Sequence, residues 1–162
     1  MAKARLPSVE ECRQMRRVCA CFNLRRAARQ MTQHFNAKFE ASGLNATQFV
    51  ILAVLQAAGP LGLSALAQQV ALDPSTMTRN LAVLRRKGWV AVARGDDRRV
   101  RQAALTSKGK TRLASAYPAW IEAQASVSDP FGDKRYRAVL ESLAELTRPA
   151  RSQGAESASR SA

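Results

Sequence analysis

The stretch that most constrains this chain runs from residue 63 to residue 90, where two short helices are predicted with a tight break between them. The first helix is predicted from apolar residues that recur at helical spacing, and Ser64 is its predicted cap. These apolar residues are Leu63, Leu66, Ala67 and Val70. The pair therefore predicts a helix-turn-helix.

The second helix is predicted to begin at Asp73-Pro74, because Asp is a good N-cap and Pro suits the first helical position, where no N–H is needed. Gly88 is predicted to end it in a left-handed conformation. The predicted buried stripe consists of Met77, Leu81 and Leu84.

Hydroxyl, amide and guanidinium side chains fall on the opposite face of the second helix. They are Ser75, Thr76, Thr78, Arg79 and Asn80, followed by Arg85, Arg86 and Lys87. Such groups at the N-terminal end of a helix are what a recognition helix presents to base edges and phosphates. An ordinary amphipathic helix with a solvated face is the alternative interpretation of this pattern.

Two short strands are predicted directly after Gly88, around a polar turn that contains Gly and Asp. The turn carries Arg94, Arg98, Arg99 and Arg101 against Asp96 and Asp97. A basic hairpin after a recognition helix is typical of a winged helix-turn-helix, in which the helix enters the major groove and a wing Arg enters the minor groove.

Several of these residues form a family pattern. The helix part comprises Leu72-Asp73, Thr78-Arg79, Leu81, Leu84 and Gly88-Trp89-Val90, and the wing part comprises Asp97, Arg99, Leu105, Thr106 and Gly109. The wing part follows the signature Asp-x-Arg and then Leu-Thr-x-x-Gly, so residues 44–109 resemble the MarR family of transcriptional regulators. The resemblance implies a mainly α fold with a small β-wing. It also implies a homodimeric repressor, sometimes an activator, that binds a pseudo-palindrome and is released by a small ligand or by oxidation.

The expected DNA contacts follow from this interpretation. Ser75, Thr76, Thr78 and Arg79 are assigned to the major groove, Arg99 with help from Arg98 to the minor groove or its phosphates, and Arg86 and Lys87 to the backbone. A two-fold dimer would place its two recognition helices about one DNA turn, ~34 Å, apart, which predicts a pseudo-palindromic operator in double-stranded DNA.

The balance of charge favours a polyanionic partner, since 26 Lys and Arg residues against 12 Asp and Glu residues give a formal net charge of +14. A basic architectural protein that coats DNA without sequence preference is one alternative, and an RNA-binding module is another. Neither predicts a wing, and an aromatic content of 6% is low for base stacking on single strands.

Other classes of protein are disfavoured by what the sequence lacks. No apolar run approaches the ~18 residues of a membrane span, and the first residues contain no apolar core of a secretory signal, so a cytoplasmic location is expected. The single histidine, His34, has no Ser or carboxylate at a recognisable catalytic spacing. Without a phosphate loop or metal-ligand spacing, we expect no enzyme, no cofactor and no metal.

The rest of the chain is predicted to build a dimer around the DNA-binding lobe at 44–106. Residues 1–43 are predicted to form one long dimerisation helix over 8–41, opened by a capping box at Ser8 and Glu11. Residues 107–147 are assigned to C-terminal dimerisation helices that start at Ser107 and Asp129-Pro130, with a kink or division at Pro118. Residues 148–162 are predicted to be a disordered tail. A small aromatic or acidic effector, implied by the family, is expected near the long helix, the Phe49 helix, Tyr117 and Trp120.

Three cysteines, Cys12, Cys19 and Cys21, lie on the predicted long helix and are expected to be reduced, buried small hydrophobes. The run Cys21-Phe22-x-Leu24, with Arg29 and Thr32, is also similar to the first-helix motif of the OhrR branch, in which the matching Cys is a peroxidatic thiol. The tyrosines of that branch are replaced here by Arg25 and Phe35. A thiol-based peroxide sensor that acts through Cys21 is therefore the alternative function.

Overall fold

The computed structural model describes residues 5–94 and 101–148. The predicted wing tip, with Arg98 and Arg99, and nearly all of the predicted disordered tail lie outside the described residues. The chain divides into two compact units, Met1–Ala123 and Gln124–Ala162.

Helices dominate both units, and three short strands form one sheet. The helices are α1 (Val9–Val18), α2 (Ala20–Phe39), α3 (Ala46–Ala58), α4 (Leu63–Gln69), α5 (Pro74–Arg86), α6 (Ser107–Ser128) and α7 (Asp133–Thr147), with a 3₁₀ turn at Glu40–Ser42. The strands are β1 (Leu61–Gly62), β2 (Val90–Arg94) and β3 (Arg101–Leu105). This confirms the predicted mainly α fold with a small β-wing.

The prediction of one long N-terminal helix is wrong, because the chain breaks at Cys19, whose backbone is extended (φ −70°, ψ 111°). The Asn23 amide donates hydrogen bonds to the carbonyl oxygens of Arg16, Arg17 and Cys19, at 3.2, 3.2 and 3.0 Å. The Cys19 sulfur accepts from the Phe22 N–H and so caps α2. The break thus satisfies the carbonyls that end α1 without any Gly or Pro.

Helix starts follow the predicted caps where a side chain reaches the third N–H. The capping boxes at Ser8 and Asn45 are both formed, the first as predicted. At α4 the prediction of Ser64 is wrong, since Gly62 stands at the cap and Ser64 is already helical. Likewise α6 uses Thr106 instead of Ser107, because the Gly109 N–H donates to the Thr106 hydroxyl.

The predicted start of the last helix is wrong, and of the two alternatives predicted at Pro118 the division is excluded. Helix α7 begins at Asp133 rather than at Asp129-Pro130, since Gly132 at φ +69° separates it from the turn that ends α6. Helix α6 runs through Pro118 undivided. Ala116 and Ala123, on either side of the proline, are both buried.

The core of the first unit surrounds α3, whose Ile51, Leu52 and Leu55 are buried. Phe39 at the end of α2 stacks on Phe49 with ring centroids 4.6 Å apart. The predicted stripe of α5, Met77, Leu81 and Leu84, is buried against the same core, as predicted. Helix α5 is therefore fixed on its inner face and exposes the other.

The sheet has the order β1-β3-β2 and is antiparallel throughout. Val90 pairs with Leu105 and Arg94 with Arg101, so β2 and β3 form the predicted hairpin. Leu61-Gly62 also pairs with β3, opposite Ala103 and Gln102. Ala103 is fully buried at this pairing, which gives the wing a third strand at its root.

In the second unit, the Gln124 amide donates to the Tyr136 hydroxyl at 2.7 Å. Helix α7 carries an apolar stripe that the chain leaves 37–60% exposed, formed by Val139, Leu140, Leu143 and Leu146. Over residues 5–94 and 101–148, no single helix is long and apolar enough to cross a membrane. Ala20–Ser42 and Ala46–Ala58 would pass by length and composition only as a pair, and they are bent by 77°.

Candidate nucleic-acid interface

The N-terminal end of α5 is built around Asp73. One oxygen of its carboxylate accepts from the Ser75 hydroxyl at 2.6 Å and from the Thr76 N–H at 2.9 Å. The Ser75 hydroxyl, followed by Thr76, holds the pKa of Asp73 well below its usual range, so the cap is ionised at neutral pH. The predicted cap of Asp73-Pro74 is confirmed, and it fixes the first turn of the helix.

The polar side chains of the next turn are bonded to one another and to the backbone. The Thr78 hydroxyl donates to the Pro74 carbonyl at 2.8 Å, and the Arg79 guanidinium donates to the Thr76 hydroxyl at 3.3 Å. Ser75, Thr78 and Arg79 are exposed, whereas Thr76 is half-buried. A guanidinium has five donor hydrogens, so Arg79 still offers most of them to an acceptor in solution.

The C-terminal end of α5 is anchored by Lys87. Gly88 has the predicted left-handed backbone (φ +72°). The half-buried Lys87 donates from its ammonium to the Gly43 carbonyl at 2.7 Å and lies 4.5 Å from the centroid of the Trp89 ring. Arg86, beside it, is exposed. Arg86 is therefore the more accessible of these two cations.

A second cation also approaches Trp89, and the sequence did not indicate it. The Arg112 guanidinium on α6 lies 5.1 Å from the centroid of the Trp89 ring and donates to the Ser42 carbonyl at 3.0 Å. We call Ser42, Gly43, Lys87, Trp89 and Arg112 the tryptophan clamp. It ties the end of α5 and the start of α6 to the segment before α3.

Two residues of the wing signature anchor the wing instead of facing solvent. The Thr106 hydroxyl donates to the Gly88 carbonyl at 2.7 Å and accepts from the Gly109 N–H at 3.0 Å. A Cβ on Gly109 would lie 2.1 Å from the Trp89 carbonyl oxygen. The spacing Leu-Thr-x-x-Gly therefore joins α6 to the end of the recognition helix. Arg94 and Arg101, the last pair of the two strands before residues 95–100, are exposed.

Two cavities adjoin α3 in the first unit. A groove of about 860 Å³ lies between α3 and α6, and its lining includes Val50, Ala53, Lys110, Tyr117 and Trp120. A smaller cavity of about 240 Å³ is lined by α2, α3 and Trp120. Together they occupy the region in which an effector was expected, near α2, Phe49, Tyr117 and Trp120.

The cysteines differ from their expected burial. Cys12 and Cys21 are exposed and Cys19 is half-buried, with all three thiols free, so the expected burial is wrong for the single chain. The reason is that α1 buries no residue at all and α2 buries only Phe39. His34 contacts the Ala123 carbonyl at 3.3 Å. Within the described part of the chain, no three His, Cys, Asp or Glu side chains cluster as metal ligands would.

Comparison with known sequences identifies relatives over the same region. The model of the MarR family matches residues 44–100. The HTH-type transcriptional regulator SarZ of Staphylococcus saprophyticus is 31% identical over 91 residues, which are 56% of this chain and 62% of SarZ. The chain spans less than two thirds of the length of the curated relatives it matches, 65% and 62%.

Comparison with solved structures extends the likeness beyond the wing. The M. tuberculosis transcriptional regulator MosR is 38% identical, with a TM-score of 0.71 over 81% of this chain and 96% of MosR. MosR in complex with DNA is 40% identical, with a TM-score of 0.71 over 82% of this chain and 98% of that one. Bordetella bronchiseptica BpsR, whose DNA binding is regulated by 6-hydroxynicotinic acid, is 25% identical, with a TM-score of 0.70 over 77% of this chain and 96% of BpsR.

Proposed function

This chain belongs to the MarR family of DNA-binding transcriptional regulators, and we propose that it is a dimeric repressor that binds a pseudo-palindromic operator and is released by a small molecule. The family consists of regulators, not enzymes, which agrees with the expectation that the chain is not an enzyme. The resemblance inferred from α5 and the wing is thereby confirmed. The finer resemblance of the Cys21 run to the OhrR branch stays a prediction.

The observation that carries this proposal is the anchoring of α5 at both ends with its polar face exposed. Asp73 fixes the first turn, the tryptophan clamp fixes the last, and Ser75, Thr78 and Arg79 remain open to solvent between them. A recognition helix must be rigid, since base readout needs donors and acceptors at fixed positions. We assign Ser75, Thr76, Thr78 and Arg79 to the major groove.

The wing supplies the second part of the DNA contact. Arg94 and Arg101, the last pair of its two strands, are exposed. Arg98 and Arg99 lie between the two strands in the sequence. We assign Arg99, with Arg98, to the minor groove. Arg99→Ala should weaken operator binding by about 1–3 kcal/mol while the dimer stays intact, as measured by fluorescence anisotropy and analytical ultracentrifugation. The matched control is Lys134→Ala, which removes one exposed charge from α7; equal losses would remove the wing from the mechanism.

Dimerisation is supported by the apolar stripe of α7. An apolar stripe at helical spacing on an exposed helix face is a contact surface for another helix. We assign it, with α1 and α2, to the subunit interface. Leu143→Glu should give a monomer in ultracentrifugation and weaken operator binding. Glu141→Gln on the same helix should remain dimeric, and a dimeric Leu143→Glu variant would move the interface elsewhere.

The groove between α3 and α6 suits a small aromatic or acidic effector. Its Tyr117 and Trp120 rings, 5.6 Å apart, offer stacking, and Lys110 offers a positive charge. Release requires a ligand that binds the DNA-free state more tightly, because only differential affinity shifts the population. Since BpsR responds to 6-hydroxynicotinic acid, that acid is the first probe, against wild type and against Ala53→Phe, which fills the groove. Release of both proteins would place the effector elsewhere.

A second candidate function is thiol-based sensing, which the exposure of Cys21 favours. A peroxidatic thiol must be reachable by its oxidant. If this function is correct, an organic hydroperoxide releases the wild-type protein from DNA and leaves Cys21→Ser bound. Cys12→Ser is the control, because it removes an equally exposed thiol from α1.

A further inference from the structure

A concave surface on the N-terminal helices is lined mainly by arginine. Its volume is about 350 Å³, and it is lined by Arg13, Arg16, Arg17, Phe22, Asn23 and Arg26. We call this surface the arginine cleft. In one continuous helix Arg16 and Arg26 would lie about 15 Å apart along the axis, since each residue adds about 1.5 Å. The break at Cys19 is what brings them around one cleft.

The cleft is held in shape by fixed bonds. The Asn23 amide, itself part of the lining, holds the last carbonyls of α1 to the first turn of α2 through its three hydrogen bonds. The Arg16 guanidinium lies 5.5 Å from the centroid of the Phe22 ring, which fixes a second lining residue across the break. The concavity therefore follows from the bonding at the junction of α1 and α2.

The charges of the cleft are poorly compensated within the described residues. No carboxylate lines it. Among its arginines, Arg13 forms an ion pair with Glu10 at 3.4 Å, in which both side chains are about two thirds exposed. An exposed pair of this kind contributes little. Four guanidinium groups around one concavity repel one another, and an anion bound between them would offset that repulsion.

We propose that the arginine cleft binds a compact anion that carries two or more negative charges on oxygen, such as the phosphate or carboxylate groups of a small metabolite. Guanidinium groups bind such oxygens in pairs through their planar donor fork. A cleft of this volume lies at the lower end of small-molecule sites, so the ligand is small. This site is separate from the groove of α3 and α6, and the inference does not depend on the proposed regulatory function.

Anion binding would have a consequence for α1. Within a single chain this helix buries none of its residues, so the contacts at the break are what attaches it to α2. An anion held by Arg13, Arg17 and Arg26 would bridge the two helices. The backbone amides of α1 should then exchange with solvent more slowly, because local opening must break the bridge.

The test titrates the full-length reduced protein with pyrophosphate, and separately with citrate, by calorimetry at near-physiological salt. We expect one site per chain for at least one of the two anions. Binding of pyrophosphate would identify phosphate as the recognised group, and binding of citrate would identify carboxylate. The double variant Arg17→Gln/Arg26→Gln should bind at least about tenfold more weakly, since each hydrogen bond to a charged group is worth more than a neutral one. Arg17→Lys/Arg26→Lys should recover part of the affinity. Circular dichroism checks that both variants fold.

The matched control is Lys134→Gln/Arg137→Gln, which removes the same charge from exposed positions on α7. It should bind pyrophosphate like the wild type. Adding pyrophosphate should slow hydrogen exchange of the α1 amides in this control and not in Arg17→Gln/Arg26→Gln. Equal weakening in both double variants would show attraction by net charge alone and overturn the proposal. So would the absence of any heat with either anion. Loss of duplex DNA binding in Arg17→Gln/Arg26→Gln, without anion binding by the wild type, would assign the cleft to DNA phosphates instead.

Discussion

Lys87 and Gly43 are joined by a hydrogen bond of 2.7 Å between the lysine ammonium and the glycine carbonyl, although 44 positions separate them in the sequence. Arg112 makes the equivalent contact with the neighbouring Ser42 carbonyl, and both cations lie against the Trp89 ring. The end of the recognition helix is therefore tied to the segment that links α2 to α3. A displacement of that segment would therefore also move the C-terminal end of α5.

The first prediction separates two adjacent cations. Arg86→Met should lower the slope of log affinity against log salt concentration by about one while leaving stability unchanged, because Arg86 is exposed and free to contact a phosphate. Lys87→Met should leave the salt slope unchanged. It should lower the denaturant concentration at the unfolding midpoint, because the Lys87 ammonium bonds to the Gly43 carbonyl and contacts the Trp89 ring. Salt-dependent anisotropy and denaturant unfolding measure the two effects. A reduced slope in Lys87→Met would instead show that Lys87 contacts a DNA phosphate, as predicted from the sequence.

The second prediction concerns the close approach of α6 to Trp89. Gly109→Ala should destabilise the protein by about 1–3 kcal/mol, because its Cβ would meet the Trp89 carbonyl oxygen at 2.1 Å and backbone must move to relieve the contact. Chemical denaturation measures the change. Ala114→Ser, a small change at an exposed position of the same helix, is the control. Wild-type stability in Gly109→Ala would mean that α6 does not approach Trp89 this closely.

The third prediction is a pH dependence at the cap of α5. Since folding lowers the pKa of Asp73, its stabilising effect is complete above the usual carboxyl range near pH 4 and is lost as the pH falls toward the folded pKa. Asp73→Asn keeps an acceptor for the Thr76 N–H but cannot ionise. The melting temperature of the wild type should exceed that of Asp73→Asn at neutral pH, and the difference should shrink in acid. A difference that does not vary with pH would contradict the assignment.

The fourth prediction concerns the break at Cys19. Asn23→Leu should speed hydrogen exchange of the α1 amides, because the Arg16 and Arg17 carbonyls lose the Asn23 amide as a donor, while the Cys19 carbonyl keeps only the Asn23 backbone N–H. Exchange in α3 should stay unchanged, since its buried residues lie in the core of the first unit. Mass-spectrometric hydrogen exchange resolves both segments. Unchanged exchange in α1 would show that Asn23 does not hold the break.

The parts of the fold that sequence reasoning predicted are those set by local chemistry. The cap at Asp73-Pro74, the stripe of Met77, Leu81 and Leu84, and the left-handed Gly88 all follow from short-range rules, and all are confirmed. Cys19 was missed because its break depends on Asn23, four residues on, and not on Gly or Pro. Strand β1 was missed because two residues are too few to show the alternation of polar and apolar residues typical of a strand. Its strand conformation depends on its pairing with β3.

The candidate interface divides in the same way. Exposed Ser75, Thr78 and Arg79 were indicated by helical spacing, whereas the tryptophan clamp joins three distant segments and left no local signal. Thr106 and Gly109 were recognised as a signature, but their role in anchoring α6 to Trp89 required the structure. Spacing along a helix predicts which side chains share a face. Only the three-dimensional structure shows which of them are already hydrogen-bonded to other parts of the protein.

The most direct test of the proposed function is whether the protein prefers one operator over other DNA. Fluorescence anisotropy would compare the reduced protein on duplex DNA from its own upstream region with random duplex at near-physiological salt. We expect one pseudo-palindromic site to be preferred by ~10³ or more. Equal affinity for both duplexes would contradict it and leave a basic architectural protein that coats DNA without sequence preference.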